Sequence, residues 1–141
     1  MKSTLKKGVT IKKRPEAVWK ALTDPAMTKR WIMGLEVSSE WVAGGPITRK
    51  GFKDGNEIIH KGTIRSAEVL KTLQFTDFGM ELGLYDTPEN YTRITYNLSF
   101  NGSGTMLSVV EDHFNGNEKR YKDAEAFWEA VLSELKRTVE S

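Results

Sequence analysis

Few side chains in this chain could carry acid–base chemistry, because it contains two histidines, His60 and His113, and no cysteine. Histidine titrates near neutral pH, so a histidine beside a carboxyl group is a common arrangement for proton transfer. The segment EDH at 111–113 offers one such pair, since Glu111 and His113 share a face if strand alternation continues through them. The spacing does not show whether the two histidines meet across a sheet.

Three interpretations of these polar side chains stay open. They could orient a ligand by one or two hydrogen bonds in a largely apolar cavity. They could act as acid and base, with Asp77 as a further candidate carboxylate. A bulge could instead turn them to solvent near the strand end.

Recognisable catalytic and metal-binding motifs are not found. The chain has no HExxH, P-loop or GxSxG motif, and nothing supplies a third metal ligand at a familiar spacing. We therefore predict no catalytic residue, no metal and no cofactor, and we do not expect an enzyme.

Length and composition indicate one soluble domain over residues 1–141. Hydrophobic residues make up 38% of the chain and charged residues 28%, with a formal net charge of +2. No apolar run has the length of a membrane span, and the N-terminus lacks the apolar core of a signal peptide. We predict a cytoplasmic protein without membrane insertion. Basic residues cluster near the N-terminus, at Lys6, Lys7, Lys12, Lys13 and Arg14. This cluster is narrower than the basic face of a typical nucleic-acid-binding protein.

Hydrophobic periodicity gives the order of elements. Alternation predicts a first strand around 4–13, and two short helices follow that are separated by Asp24-Pro25. About six strands come next, of which YTRITYNLSF alternates most cleanly. The chain ends in a long helix with one apolar face, formed by Ala124, Phe127, Trp128, Val131, Leu132, Leu135 and Val139.

Consecutive strands joined by short turns predict an antiparallel meander, and only the last helix is long enough to cover it. The fold class is therefore α+β, with a curved sheet wrapped around a helix. A set of aromatic side chains is expected to face one interior: Trp31, Trp41, Phe75, Phe78, Tyr85, Tyr96, Phe100 and Trp128. Trp19, on the first short helix, is expected to be a core anchor.

A set of fragments in this order resembles a known family. They are RPEAVWKALTDP, RW, WVAGGP, HKGTI, LQFT, TRITYNLSF and AFWEAVLSELK. Together they are similar to the activator of heat-shock-protein ATPase homologue (Aha1-like) family of the START-related, or SRPBCC, helix-grip superfamily. The resemblance implies about seven strands gripping the C-terminal helix, with a cavity between them that often holds a lipid, polyketide or aromatic molecule.

With this resemblance, we predict binding of a small hydrophobic ligand between the sheet and the C-terminal helix. His60 and Glu111 would hold the polar end of the ligand. The predicted walls and neighbouring contacts are Trp31, Trp41, Phe75, Tyr96, Leu98, Val109, Trp128 and Leu132.

Two alternatives accompany this prediction. The family name favours an interaction protein that modulates a heat-shock-protein ATPase, with the exposed basic residues Lys12, Lys13 and Arg14 as candidate contacts. A cyclase or hydrolase acting on a bound aromatic molecule ranks last. A small molecule, and in the alternative a chaperone, are the expected partners of a monomer or homodimer.

Overall fold

The computed structural model describes residues 3–141, and it has the predicted α+β architecture. The seven strands are β1 (Thr4–Ile11), β2 (Glu36–Ser39), β3 (Pro46–Lys53), β4 (Asn56–Glu68), β5 (Thr72–Gly79), β6 (Thr92–Phe100) and β7 (Thr105–Asp112). The helices are α1 (Pro15–Thr23), α2 (Pro25–Trp31) and α3 (Glu118–Glu140). Two short 3₁₀ turns, Met80–Leu82 and Pro88–Asn90, lie in the loop between β5 and β6.

All seven strands form one antiparallel sheet in the order β1-β7-β6-β5-β4-β3-β2. Strands β2 to β7 form a meander, and β1 closes it by pairing with β7. Register shifts at a bulge between Ile64 and Ser66 in β4, and bulges bend strands. Gly62 precedes this bulge, and a Cβ there would collide with the main-chain oxygen of Thr76. The curvature of the sheet therefore depends locally on a residue without a side chain.

Asp24 separates the two short helices and caps the second. Its backbone is extended, which ends α1, and its carboxylate accepts a hydrogen bond from the N–H of Ala26 at 3.0 Å. Trp31 then returns to α1, where its indole N–H donates to the carbonyl of Ala21 at 2.8 Å. The two helices are thereby held together at one end of the sheet.

The apolar face of α3 changes its role along the helix. Its later residues are buried in the core that packs against the sheet and the short helices, and they are Trp128, Val131, Leu132, Leu135 and Val139. Ala124, one turn before Trp128, and Phe127, directly before it, are only half-buried. The helix therefore packs closely over one half of the sheet and stands over an open space at the other. No helix within residues 3–141 combines the length and apolar character needed to cross a membrane.

Four expected aromatic positions differ in the structure. Tyr85 and Phe100 are 85% and 39% exposed, because one lies in the loop and the other at the far end of β6. Trp41 follows the end of β2 with a positive φ of 58°, so it is not part of the strand alternation and is only half-buried. Trp19 is also half-buried and packs against the core from one side.

Leu135 is fully buried in the core. The substitution Leu135→Ala should therefore lower the free energy of unfolding by about 2–5 kcal/mol. Val69→Ala is the control, since Val69 is 70% exposed and its truncation should change stability by less than about 0.5 kcal/mol. Urea unfolding followed by tryptophan fluorescence measures both. Equal losses in the two variants would contradict the assignment of the core.

Candidate functional site

A cavity of about 600 Å³ lies between the sheet and the first half of α3. This volume is within the range of small-molecule sites in proteins. Met33, Phe52 and Leu82 line its mouth and are largely exposed. Ala124, Phe127 and Trp128 form the wall that α3 contributes, and they share one helix face because they are three and four residues apart.

A buried ion pair lies on the sheet side of the cavity. Arg49 of β3 and Asp77 of β5 are each 5% exposed, and Nη2 of Arg49 lies 2.8 Å from Oδ1 of Asp77. Burial opposes ionisation of both groups, but mutual attraction outweighs it. The pKa of Asp77 consequently lies well below its usual range, and the pKa of Arg49 is raised.

His60 of β4 joins this pair to the cavity mouth. Its Nδ1 lies 2.9 Å from Oδ2 of Asp77, and its Nε2 lies 2.8 Å from Oε2 of Glu81. Ionised carboxylates only accept hydrogen bonds, so both ring nitrogens donate when His60 is protonated. Burial lowers the pKa of His60, but the hydrogen bond to Asp77 and the negative charges of Asp77 and Glu81 together outweigh it, so the pKa is raised. Gly79, opposite His60 across the strand pair, leaves room for the ring, since a Cβ there would lie 2.8 Å from its Cε1.

Nη2 of Arg49 also lies 3.5 Å from Nδ1 of His60. Both atoms carry hydrogens when Nδ1 donates to Asp77, so this contact is not a hydrogen bond. Asp77 is therefore the shared acceptor of the two cations.

Glu111 of β7 is the second buried carboxyl group. Its Oε1 accepts from the indole N–H of Trp128 at 2.8 Å, and its Oε2 lies 2.7 Å from the hydroxyl of Thr92. Burial raises the pKa of Glu111, and the hydrogen bond from Trp128 only partly opposes this. Glu111 thus favours the neutral form more than an exposed glutamate does.

Arg120 lies in the first turn of α3 and is 9% exposed. Its Nη1 and Nη2 donate to main-chain carbonyls of Asn90 and Asp77 at 2.6 and 3.1 Å. The side chain therefore fastens the start of α3 to β5 and to the 3₁₀ turn before β6. Burial lowers the pKa of Arg120, in part offset by Asp77.

Three of the ten sequence-predicted site residues line the cavity, namely His60, Glu111 and Trp128. Trp41, Phe75 and Tyr96 surround a separate void of about 10 Å³ beside Arg49, which has room for about one water molecule. The other four pack in or against the core outside the cavity lining, and they are Trp31, Leu98, Val109 and Leu132.

His113 does not share a face with Glu111, so that expectation was wrong. Strand β7 ends at Asp112, and His113 has a positive φ of 65° and is exposed. It lines a second pocket of about 200 Å³ with Asp112 and Asn115, and His60 lines the main cavity instead. The interpretation as a solvent-facing side chain therefore holds for His113, whereas Glu111 is buried.

Sequence reasoning missed Arg49 and Arg120 and gave Asp77 only a minor role. The sequence nevertheless carried a signal that Arg49 and Asp77 face the interior. Arg49 is in phase with buried Ile47 and Gly51, and Asp77 is in phase with buried Leu73 and Phe75. A charged residue at an inward strand position must find a partner inside the protein.

Metal binding finds no support in this cluster. Within residues 3–141, no group of three or more histidine, aspartate or glutamate side chains is placed to hold a metal ion. Both nitrogens of His60 already contact carboxylates.

A seven-stranded antiparallel sheet curved around a C-terminal helix, with two short helices after its first strand, defines a helix-grip protein of the START-related class. The chain belongs to the family described as Activator of Hsp90 ATPase homolog 1-like protein, whose model matches residues 12–140. The resemblance in the sequence is thus confirmed.

Solved structures agree with this assignment. A protein from Cytophaga hutchinsonii is 32% identical, with a TM-score of 0.81 over 99% of this chain and 97% of its own. A putative protein of the dynemicin biosynthetic locus is 18% identical, with a TM-score of 0.82 over 100% of this chain and 48% of its own. The Aha1 dimer from Colwellia psychrerythraea is 20% identical, with a TM-score of 0.77 over 99% of this chain and 97% of its own. The last two show similarity of fold alone. Comparison with curated protein sequences gave no match.

Removing one partner of the buried Arg49–Asp77 ion pair should lower the stability of the fold. Arg49→Met leaves the Asp77 carboxylate without its guanidinium and should lower the unfolding free energy by about 3–5 kcal/mol. The double variant Arg49→Met/Asp77→Leu removes both charges and should lose less than the two single losses added. Urea unfolding of the four proteins gives the coupling energy.

Glu134 and Arg137 form the control cycle, because this exposed pair should couple by less than about 1 kcal/mol. Additive losses at Arg49 and Asp77 would contradict the ion pair.

His60 should make stability depend on pH. An unfolded histidine has a pKa of about 6.5 and the folded pKa is higher, so the stabilisation is complete below that pH. It is lost as the pH rises through the folded pKa. The unfolding free energy should therefore fall more steeply in the natural protein than in His60→Gln as the pH rises from about 6.5 through the folded pKa. Parallel curves for the two proteins would count against a protonated His60.

Proposed function

We propose that this protein binds a small, mainly apolar molecule in the cavity between the sheet and α3, without transforming it. The observation that carries the proposal is the cavity of about 600 Å³, whose lining consists of nine apolar and eight ionisable residues. In small-molecule sites apolar walls give affinity and polar groups fix orientation. Members of the superfamily that bind hydrophobic molecules support the same function.

The hydrogen bonds of His60 and Glu111 favour ligand binding over catalysis. A general base needs a lone pair within reach of the substrate. Both nitrogens of His60 face carboxylates, and each oxygen of Glu111 has a partner at 2.8 Å or less. The groups that a cyclase or hydrolase would need are thus engaged within the protein.

The structure modifies the proposed set of binding residues. His60, Glu111 and Trp128 stay in it as cavity-lining side chains, joined by Ala124 and Phe127. The remaining sequence-predicted residues would act by supporting the walls, since they pack behind the lining.

The chaperone alternative remains a prediction. Lys12, Lys13 and Arg14 are exposed as it requires, and the guanidinium of Arg14 lies 4.9 Å above the ring centre of Phe100. Stimulation of a purified chaperone ATPase, lost on charge reversal at the three residues, would support it. A cytoplasmic location and a homodimer likewise stay predictions.

Filling the cavity should abolish binding. N-phenyl-1-naphthylamine, a neutral apolar dye, should bind the natural protein with increased fluorescence. Ala124→Trp places a large ring in the space, so we expect affinity to fall at least about tenfold, the equivalent of about 1.4 kcal/mol. Ala126→Trp is the matched control, because Ala126 lies on the same helix and is exposed. Its affinity should equal that of the natural protein.

Either of two results would contradict the proposal. The dye could fail to bind the natural protein at any concentration that keeps it soluble. It could also bind equally to both tryptophan variants, which would place it elsewhere.

A further inference from the structure

Three cations lie together at the sheet side of the cavity, and only two of them contact a carboxylate. Arg49, His60 and Arg120 are buried or half-buried, and His60 carries a charge when it donates from both nitrogens. Asp77 and Glu81 are the carboxylates that Arg49 and His60 contact. Among the described residues of this cluster, Arg120 is therefore the cation without a carboxylate partner.

The other ionisable groups of the lining do not pair with Arg120. Lys53 and Asp123 are exposed, and Asp123 pairs with Lys119. The two carboxyl oxygens of Glu111 hydrogen-bond to Trp128 and Thr92. A buried charge is expensive unless a partner compensates it.

Arg49 is closed to the cavity at the atoms that lack a partner. Its Nη2 contacts Asp77, whereas Nε and Nη1 are shielded from solvent and have no acceptor among the described residues. Buried N–H groups are nearly always paired, and the void of about 10 Å³ beside Arg49 has room for about one water molecule to accept from them. Arg120 is therefore the guanidinium of this cluster that a ligand in the cavity would meet.

Arg120 places a second guanidinium beside the first. Nη2 of Arg120 donates to the main-chain oxygen of Asp77, whose carboxylate binds Arg49. Arg120 is in the cavity lining and has no carboxylate within 4.0 Å in residues 3–141. Its neutral carbonyl partners leave its charge uncompensated.

We propose that the molecule bound in this cavity is an amphiphilic acid, whose carboxylate lies against Arg120. The apolar body then extends past Phe127 and Ile94 toward Met33, Phe52 and Leu82 at the mouth. Charge-assisted hydrogen bonds from a guanidinium to a carboxylate are among the strongest in proteins. This inference rests on the proposed function, because it names the class of ligand for the same cavity.

The test compares an acid with its neutral counterpart of equal chain length. Isothermal titration at neutral pH with decanoate and decan-1-ol should show decanoate binding the natural protein at least about tenfold more tightly. Arg120→Gln should remove this preference with little change in affinity for the alcohol, and Arg120→Lys should keep part of it. Arg137→Gln, on the exposed side of the same helix, should keep all of it.

The outcomes separate the two proposals. Equal or tighter binding of the alcohol by the natural protein would overturn the acid, while binding in the cavity would stand. Failure of both probes to bind would overturn the proposed function as well. An unchanged preference in folded Arg120→Gln would overturn the role of Arg120.

Discussion

The buried ion pair between Arg49 and Asp77 is the constraint around which the cavity is organised. It joins β3 to β5, and His60 extends it through β4 to Glu81 at the mouth. Arg120 ties the main chain of Asp77 to α3, so the sheet, the helix and the loop before β6 meet at one residue. Taking two charges out of water costs several kcal/mol per ion, and an apolar pair of similar size often stabilises a fold equally well. The presence of this buried pair is therefore not explained by stability alone.

The cavity itself follows from the uneven packing of α3. Its second half buries a continuous apolar stripe, and Lys136 and Glu140 hydrogen-bond to the main chain near the end of β1. Its first half is held from the side by Arg120, and its N-terminus is capped by Asn117. Because the helix is fixed at both ends, the space beneath Ala124 and Phe127 need not be filled by side chains. Trp128 marks the boundary, since it is buried on one side and borders the cavity on the other.

Periodicity was sufficient to predict most of the fold. Alternation in β6 and the apolar stripe of α3 are local patterns, and the meander follows from short turns. The same patterns failed where the backbone departs from regularity, as at Trp41 and His113, whose positive φ angles end the alternation. Left-handed backbone is uncommon for every residue except glycine, even for asparagine, aspartate and histidine, in which it is enriched, so residue type did not predict it at these two positions.

The candidate site was less predictable for a different reason. Large aromatic residues such as Phe75 and Tyr96 suit a ligand wall and a filled core equally well, and only packing in three dimensions places them behind the lining. Conversely, Arg49 and Asp77 lie on different strands, 28 positions apart, and nothing local shows that they pair. The usable signal was a charged residue at a strand position that faces the interior. Such a residue identifies a site only when its partner is also known.

The measurement that tests the account most directly is nuclear magnetic resonance of ¹⁵N-labelled protein during titration with decanoate. The account predicts that the Nε–H signal of Arg120 shifts together with the backbone amides of Asp77, Glu111 and residues 124–128. Shifts confined to the outer face of the sheet, around Arg93 and Asp112, would contradict it. So would a spectrum that decanoate leaves unchanged.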